Sequence, residues 1–161
     1  MAVSSADVHG YQPAHYAAMH GSVLSLQRLT EIGGPQVLNA RSRNGSTPLI
    51  TAIQHGQLEI VKYLLSSKAS FSVLSDGYNT LHCALHYANL PIIYEVLASP
   101  QAPQWINQMS KEGGTPLMLA CELDSADLVE KMISMGADPT LIRGDGVTAM
   151  EIGVSRNCIA V

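Results

Sequence analysis

Five times along this chain a glycine leads, within two or three residues, into a Thr-Pro-Leu-like turn. The segments are Gly10-Tyr-Gln-Pro-Ala-His-Tyr-Ala17, Gly45-Ser-Thr-Pro-Leu-Ile-Thr-Ala52, Gly77-Tyr-Asn-Thr-Leu-His-Cys-Ala84, Gly113-Gly-Thr-Pro-Leu-Met-Leu-Ala120 and Gly146-Val-Thr-Ala-Met-Glu-Ile-Gly153. The intervals between the leading glycines are 35, 32, 36 and 33 residues. A recurrence of this size marks a stacked array. Single units cannot bury their own apolar face, so neighbours must close the core together. Such arrays present an extended surface and seldom a catalytic pocket.

The second unit shows the physics. Thr47 can cap a helix with its hydroxyl, and Pro48 sits at the first helical position, where its missing N–H costs nothing. The short helix runs on through Leu49, Ala52 and Ile53, and Gly56 accepts the left-handed conformation of its exit. A second helix follows over 57–65, with Leu58, Val61, Leu64 and Leu65 on one face and Gln57 reading as exposed. Residues 68–73 then extend into the next glycine turn. Unit one ends its first helix at Gly21 and places its second over 22–30. Unit three caps with Asn79, puts Ala88 at the glycine position and carries Pro91 in the first turn of its second helix. Unit four has Asp124 at the glycine position and a second helix over 126–134.

These features resemble the ankyrin repeat, whose period is about 33 residues and whose turn reads Thr-Pro-Leu-His-x-Ala. Thr47-Pro48-Leu49 and Thr115-Pro116-Leu117 match closely. Leu81-His82-x-Ala84 and Pro13-x-His15-x-Ala17 match in part, and Leu64-Leu65 and Gly136-Ala137-Asp138 fit the second helix and its exit. The resemblance implies an all-α repeat solenoid: a right-handed, ankyrin-type stack of antiparallel helix pairs with short β-hairpin fingers. It spans 1–161 as one domain, with repeats near 7–41, 42–73, 74–109 and 110–142 and a partial one over 143–161. It further implies protein binding on the concave face and no catalysis. His82, at the motif histidine position, is expected to bond locally within its turn.

Two departures stand out. The fifth unit has a first helix expected over 148–156 and then only a short tail. Ile152, Val154 and the tail from Cys158 to Val161 would leave an apolar edge uncovered, which points to a longer protein, to a tail that caps the stack in an unusual way, or to self-association through this unit. Unit three carries about three extra residues within 98–107. This insertion holds Trp105, a candidate aromatic anchor for a partner. The alternative is an indole folded back over the helix ends, since most tryptophans are substantially buried.

Composition narrows the function. Apolar residues make up 47% of 161 residues, charged residues only 14%, and the formal net charge is -4. The sparse charge favours a partner surface, and the missing basic excess argues against nucleic acid. Three cysteines without short-range pattern fit free thiols. Cys83 and Cys121 read as small core residues, and Cys158 as the reactive one. The N-terminus lacks a leader pattern, and no apolar run approaches the ~18 residues of a membrane span. A cytoplasmic or nuclear setting without membrane insertion is therefore expected. His82 and His86 stand four apart, but no third ligand is near, so neither metal nor cofactor is expected. No nucleophile elbow, phosphate loop or paired carboxylates appear.

The candidate partner-binding residues are those just after each leading glycine and just before each helix exit. They are Tyr11, Met19 and His20; Ser46, Gln54 and His55; Tyr78, His86 and Tyr87; Glu122 and Leu123. Arg43 and Lys111 in the fingers, and Trp105, complete the set. The stripe is aromatic, histidine-rich and nearly uncharged, a composition suited to contact area with hydrogen bonding. The expected function is non-catalytic binding of another protein or peptide through groove and fingers. The alternative is a regulatory or scaffolding module of a larger enzyme, channel or scaffold.

Overall fold

A computed structural model describes residues 5–157. Helix pairs follow one another along the chain: α1 Pro13–Met19 with α2 Val23–Gly33, α3 Pro48–Gln54 with α4 Leu58–Ser66, and α5 Thr80–His86 with α6 Leu90–Ala98. A short α7 (Ala102–Trp105) precedes α8 Pro116–Glu122 with α9 Ala126–Ser134, and α10 Ala149–Ser155 comes last. First helices pack on first helices (α1 on α3, α3 on α5, α5 on α8, α8 on α10), and α4 packs likewise on α6. This is the all-α repeat stack that the periodicity requires.

Local chemistry starts each first helix where the turn motif says it should. The Thr47, Thr115 and Thr148 hydroxyls accept from the Ile50, Met118 and Glu151 amides, and the Asn79 side chain accepts from His82 N–H at 3.0 Å. Each first helix leaves through one left-handed residue. Gly21 and Gly56 serve in units one and two, whereas Ala88 (φ 55°), Asp124 (φ 53°) and Asn157 (φ 57°) serve in the other three. Ala88 holds this conformation without the relief glycine would give.

The fingers carry the stack on backbone. Arg43 N–H donates to His9 O at 3.0 Å, Ser75 N–H to Asn44 O at 2.9 Å, and Lys111 N–H to Asp76 O at 3.1 Å. Each leading glycine has positive φ, and in units one to four a Cβ there would meet the next finger's backbone at 2.8, 2.8, 2.6 and 2.8 Å. The period of glycines is therefore a period of close finger-to-finger approach. Hairpin character is slight. Among the described residues the fingers show isolated antiparallel bridges at Val73–Asn79 and Ile142–Thr148 and no longer ladder, so the finger hairpins are short.

The motif histidines do more than bond within their turns. His82 Nδ1 accepts from Asn79 N–H at 3.2 Å, while its Nε2 donates to Gly114 O at 2.9 Å in the following finger. His15 does the same between Gln12 N–H (3.0 Å) and Ser46 O (2.9 Å). Both rings are buried, and burial lowers their pKa below the usual histidine value despite the bonds that favour the charged form. These are neutral straps between units.

Units one and three have the longer glycine intervals and spend them alike. Each inserts a helical turn after its second helix: a 3₁₀ turn at Pro35–Asn39 in one, α7 in the other. Each ends in an asparagine that reaches the next unit, Asn39 accepting from Ser70 N–H and Asn107 from Asp138 N–H, both at 2.8 Å. Gln57 is a correction. It is half-buried, and its side-chain amide donates to Met19 O at 2.9 Å, tying unit two to unit one.

In unit five α10 packs on α8, and Ile152 lies half-buried against the core while Met150 and Val154 stay exposed. Cys158 and the tail to Val161 lie outside the described residues. No helix among the described residues is long and apolar enough to cross a membrane.

Candidate functional site

Tyr78 is the centre of the best-formed surface feature. Asp76 Oδ1 accepts its N–H at 2.9 Å, and its carbonyl accepts from Leu74 N–H at 2.8 Å, so the finger turn holds its backbone. Its ring stacks on the buried His82 ring (centroids 5.2 Å apart, planes at 25°) and meets the edge of His86 at 6.1 Å. His86 in turn meets Tyr87 edge-on at 5.2 Å. The row of four rings thus rests on a histidine whose two nitrogens are both engaged. His82 is therefore occupied structurally and not available to pair with His86 on a metal.

Two hollows adjoin this row. One, of about 580 Å³, opens toward unit two and is lined by Asn44, Gln54, Leu74, Asp76, Tyr78, Cys83, His86, Tyr87, Lys111 and Glu112. The other, of about 320 Å³, opens toward unit four and adds Met118, Leu119, Glu122 and Arg143. They share Tyr78, His86 and Glu112, so they form one groove between fingers and first helices. Burial, then the negative charges of Glu112, Asp76 and Glu122, push the Tyr78 hydroxyl pKa up. Arg143 is committed to Asp145, with bonds of 3.0, 3.1 and 2.6 Å.

Of the residues picked from sequence, Gln54, Tyr78, His86, Tyr87, Lys111 and Glu122 line this groove. Tyr11 repeats the ring contact in unit one, edge-on to His15 at 5.1 Å, and half-buried Met19 follows on the same helix. His55 is exposed at the end of α3, and Arg43 is exposed in a shallow finger depression with Arg41.

Four placements depart from expectation. Ser46 is 0% exposed: too short to project, it turns inward and bonds the Thr51 hydroxyl at 3.2 Å. Trp105 is no projecting anchor. It lies half-buried on the core, 6.3 Å from Phe71, as the folded-back alternative required. Leu123 likewise packs on the core. His20 lines a different depression of about 750 Å³ on unit one, with Tyr16, Leu24 and Arg28. That depression is a face other units bury: Ser25, exposed there, corresponds to Ile60, Ile92 and Leu128, each 0% exposed. Sequence reading also missed Asn44, Asp76 and Glu112. The signal available was the finger position itself, one residue before each leading glycine.

Against known families, the model described as ankyrin repeats (3 copies) matches residues 2–74, and the one described as ankyrin repeat matches residues 112–144. Together they cover more than half of the 161 residues. The chain belongs to the ankyrin-repeat family. Among curated proteins this ankyrin stack is 27% identical over 126 residues to human transient receptor potential cation channel subfamily A member 1, covering 78% of the chain and 11% of that protein. It is 28% identical to mouse synphilin-1 (84% of the chain, 14% of that protein). It is 26% identical to the ANK repeat-containing protein nipk-1 of Caenorhabditis elegans (86% and 26%). The chain thus spans between 11% and 26% of the length of these relatives.

Proposed function

We propose that this ankyrin stack is a non-catalytic binding module that holds an extended segment of another protein in the groove around Tyr78 and His86. The observation that carries the reading is the row of rings His82, Tyr78, His86 and Tyr87, fixed from below and open to two continuous hollows. Tyrosine there offers area and a hydrogen bond at little entropic cost. His82 and His86 stand on α5, Tyr87 closes that helix, and the finger turn holds Tyr78, so binding need not order the rings first.

The test is capture of partner proteins by wild type and by a Tyr78→Ser/His86→Ser variant of unchanged melting temperature. Partners retained by wild type and lost by the variant support the groove. Equal capture by both removes it and shifts attention to the Arg41 and Arg43 finger. The share of each relative that the chain matches supports a second reading, in which the stack serves a larger protein and its partner segment lies in the same polypeptide.

A further inference from the structure

The groove described above has a charge pattern that selects its occupant, and the selection rests on the groove reading. Asp76, Glu112 and Glu122 stand at its walls, and none of them makes an ion pair among the described residues. The opposing cations are Lys111 and Arg143; Arg143 is bound to Asp145 and also feels the charges of Glu122 and Glu112 without an ion pair to either. Glu112 lines both hollows together with Tyr78 and His86, while Glu122 lies in the hollow toward unit four. A cation entering here would find carboxylates and an aromatic lining at once.

We infer that the occupant is an extended peptide carrying a lysine or arginine, whose cationic head sits between the Tyr78–His86–Tyr87 rings and the Glu112 and Glu122 carboxylates. Three points of physics converge on this. A cation over an aromatic face is attracted by the ring quadrupole, and more so where water is partly excluded. Carboxylates without a cationic partner gain most from an incoming charge-assisted hydrogen bond. An acidic peptide would meet like charge on both walls, and the net charge of -4 steers it away from the whole molecule. A neutral apolar peptide could use the rings but would bury carboxylates without compensation.

The experiment is selection of a random twelve-residue phage-displayed library on the intact protein, followed by titration of the recovered synthetic peptides by fluorescence anisotropy. Variants are Glu112→Gln/Glu122→Gln, which changes charge at two exposed positions, and Tyr78→Ser/His86→Ser. Melting temperatures establish that each variant is folded. The expected result is recovery of peptides with a shared Lys or Arg. Their affinity should fall roughly tenfold or more in the Glu double variant, as loss of a hydrogen bond to a charged group implies. Affinity should also fall with added salt in wild type and less so in that variant. Peptides that depend on Tyr78 and His86 but are neutral or acidic, or that keep their affinity in the Glu double variant, overturn the cationic occupant and leave the groove standing. Recovery of no peptide that depends on Tyr78 and His86 overturns both.

Discussion

Replacing Gly77 by alanine separates the two reasons a finger glycine is needed. Gly77 has φ 84°, and an alanine Cβ there would lie 2.6 Å from Lys111 N and 3.2 Å from both Ser110 C and Lys111 Cγ. The nearest obstacle is backbone, so the fingers of units three and four must move apart. They would surrender the Lys111 N–H bond to Asp76 O at 3.1 Å. The left-handed conformation costs an L-residue about 1–2 kcal/mol, and the lost hydrogen bond about 0.5–1.5 kcal/mol more. Gly77→Ala should therefore cost about 1.5–3.5 kcal/mol. Gly146→Ala is the matched control. Its φ is 87°, but no described atom lies within 4 Å of the added Cβ, so only the conformational cost of about 1–2 kcal/mol remains. Urea unfolding followed by circular dichroism gives the two differences. Hydrogen exchange locates the damage: a stack with nearest-neighbour coupling should open from 107 to 157 in the Gly77 variant and stay closed over α1 to α4. Equal costs for the two variants, or exchange that rises evenly along the chain, would refute the finger-contact argument.

Other perturbations follow from the same frame. Burial holds His15 and His82 below the usual histidine value of about 6.5, so the unfolded chain binds more protons than the folded one once pH drops below about that value. Their contribution is fully present above pH 6.5 and is lost as pH falls through the lowered folded values. The urea midpoint should drop between pH 7.5 and pH 5.5, and His82→Gln should flatten that slope. Leu64→Ala removes a fully buried side chain from α4 and should cost about 2–5 kcal/mol in urea unfolding. Exposed Glu130→Ala should stay within about 0.5 kcal/mol by the same measure. The Cys83 thiol, buried and pushed up to about 12, should resist a thiol-disulfide reagent at pH 8 until denaturant is added. Ala88→Gly relieves a left-handed alanine at φ 55° and should raise the melting temperature, whereas at Gly21 an added Cβ would strike the Gln57 side chain at 2.6 Å and Gly21→Ala should lower it.

What could be read from sequence was whatever repeats. The turn motif placed α3, α5, α8, α9 and α10 to within a residue or two, because their caps and apolar faces are local properties. The unequal glycine intervals announced insertions, but the helical turns at Pro35–Asn39 and Ala102–Trp105 depend on packing against the next unit and carry no periodic signature. Gln57 and His82 show the same limit. Each has a local position that looks complete, and its decisive partner lies 38 or 32 residues away. Ser46 failed because the finger position was read without side-chain length: a tyrosine at that position reaches the groove, and a serine turns inward.

The candidate site was legible in the same measure, and the reason bears on how such a chain carries function. Stacking is secured by groups that every unit owns or nearly owns: backbone bonds between fingers, glycines that let them approach, and aliphatic faces such as Ile60, Ile92 and Leu128. The residues before each helix exit take little part in that contract. Gln54, His86 and Glu122 therefore vary from unit to unit without disturbing the core. Their chemistry is then free to be set by what lies in the groove. Where a groove residue does touch the frame, as Tyr78 does through His82, it couples binding to the strap between units three and four. A partner that presses on Tyr78 would thereby stabilise the junction that Gly77→Ala weakens. Saturating peptide should raise the urea midpoint of wild type, as any ligand specific for the folded state does. It should also slow exchange in 107–122 more than in α1 and α2. If bound peptide protects both ends of the stack alike, the coupling through His82 is absent and Tyr78 serves as contact area alone.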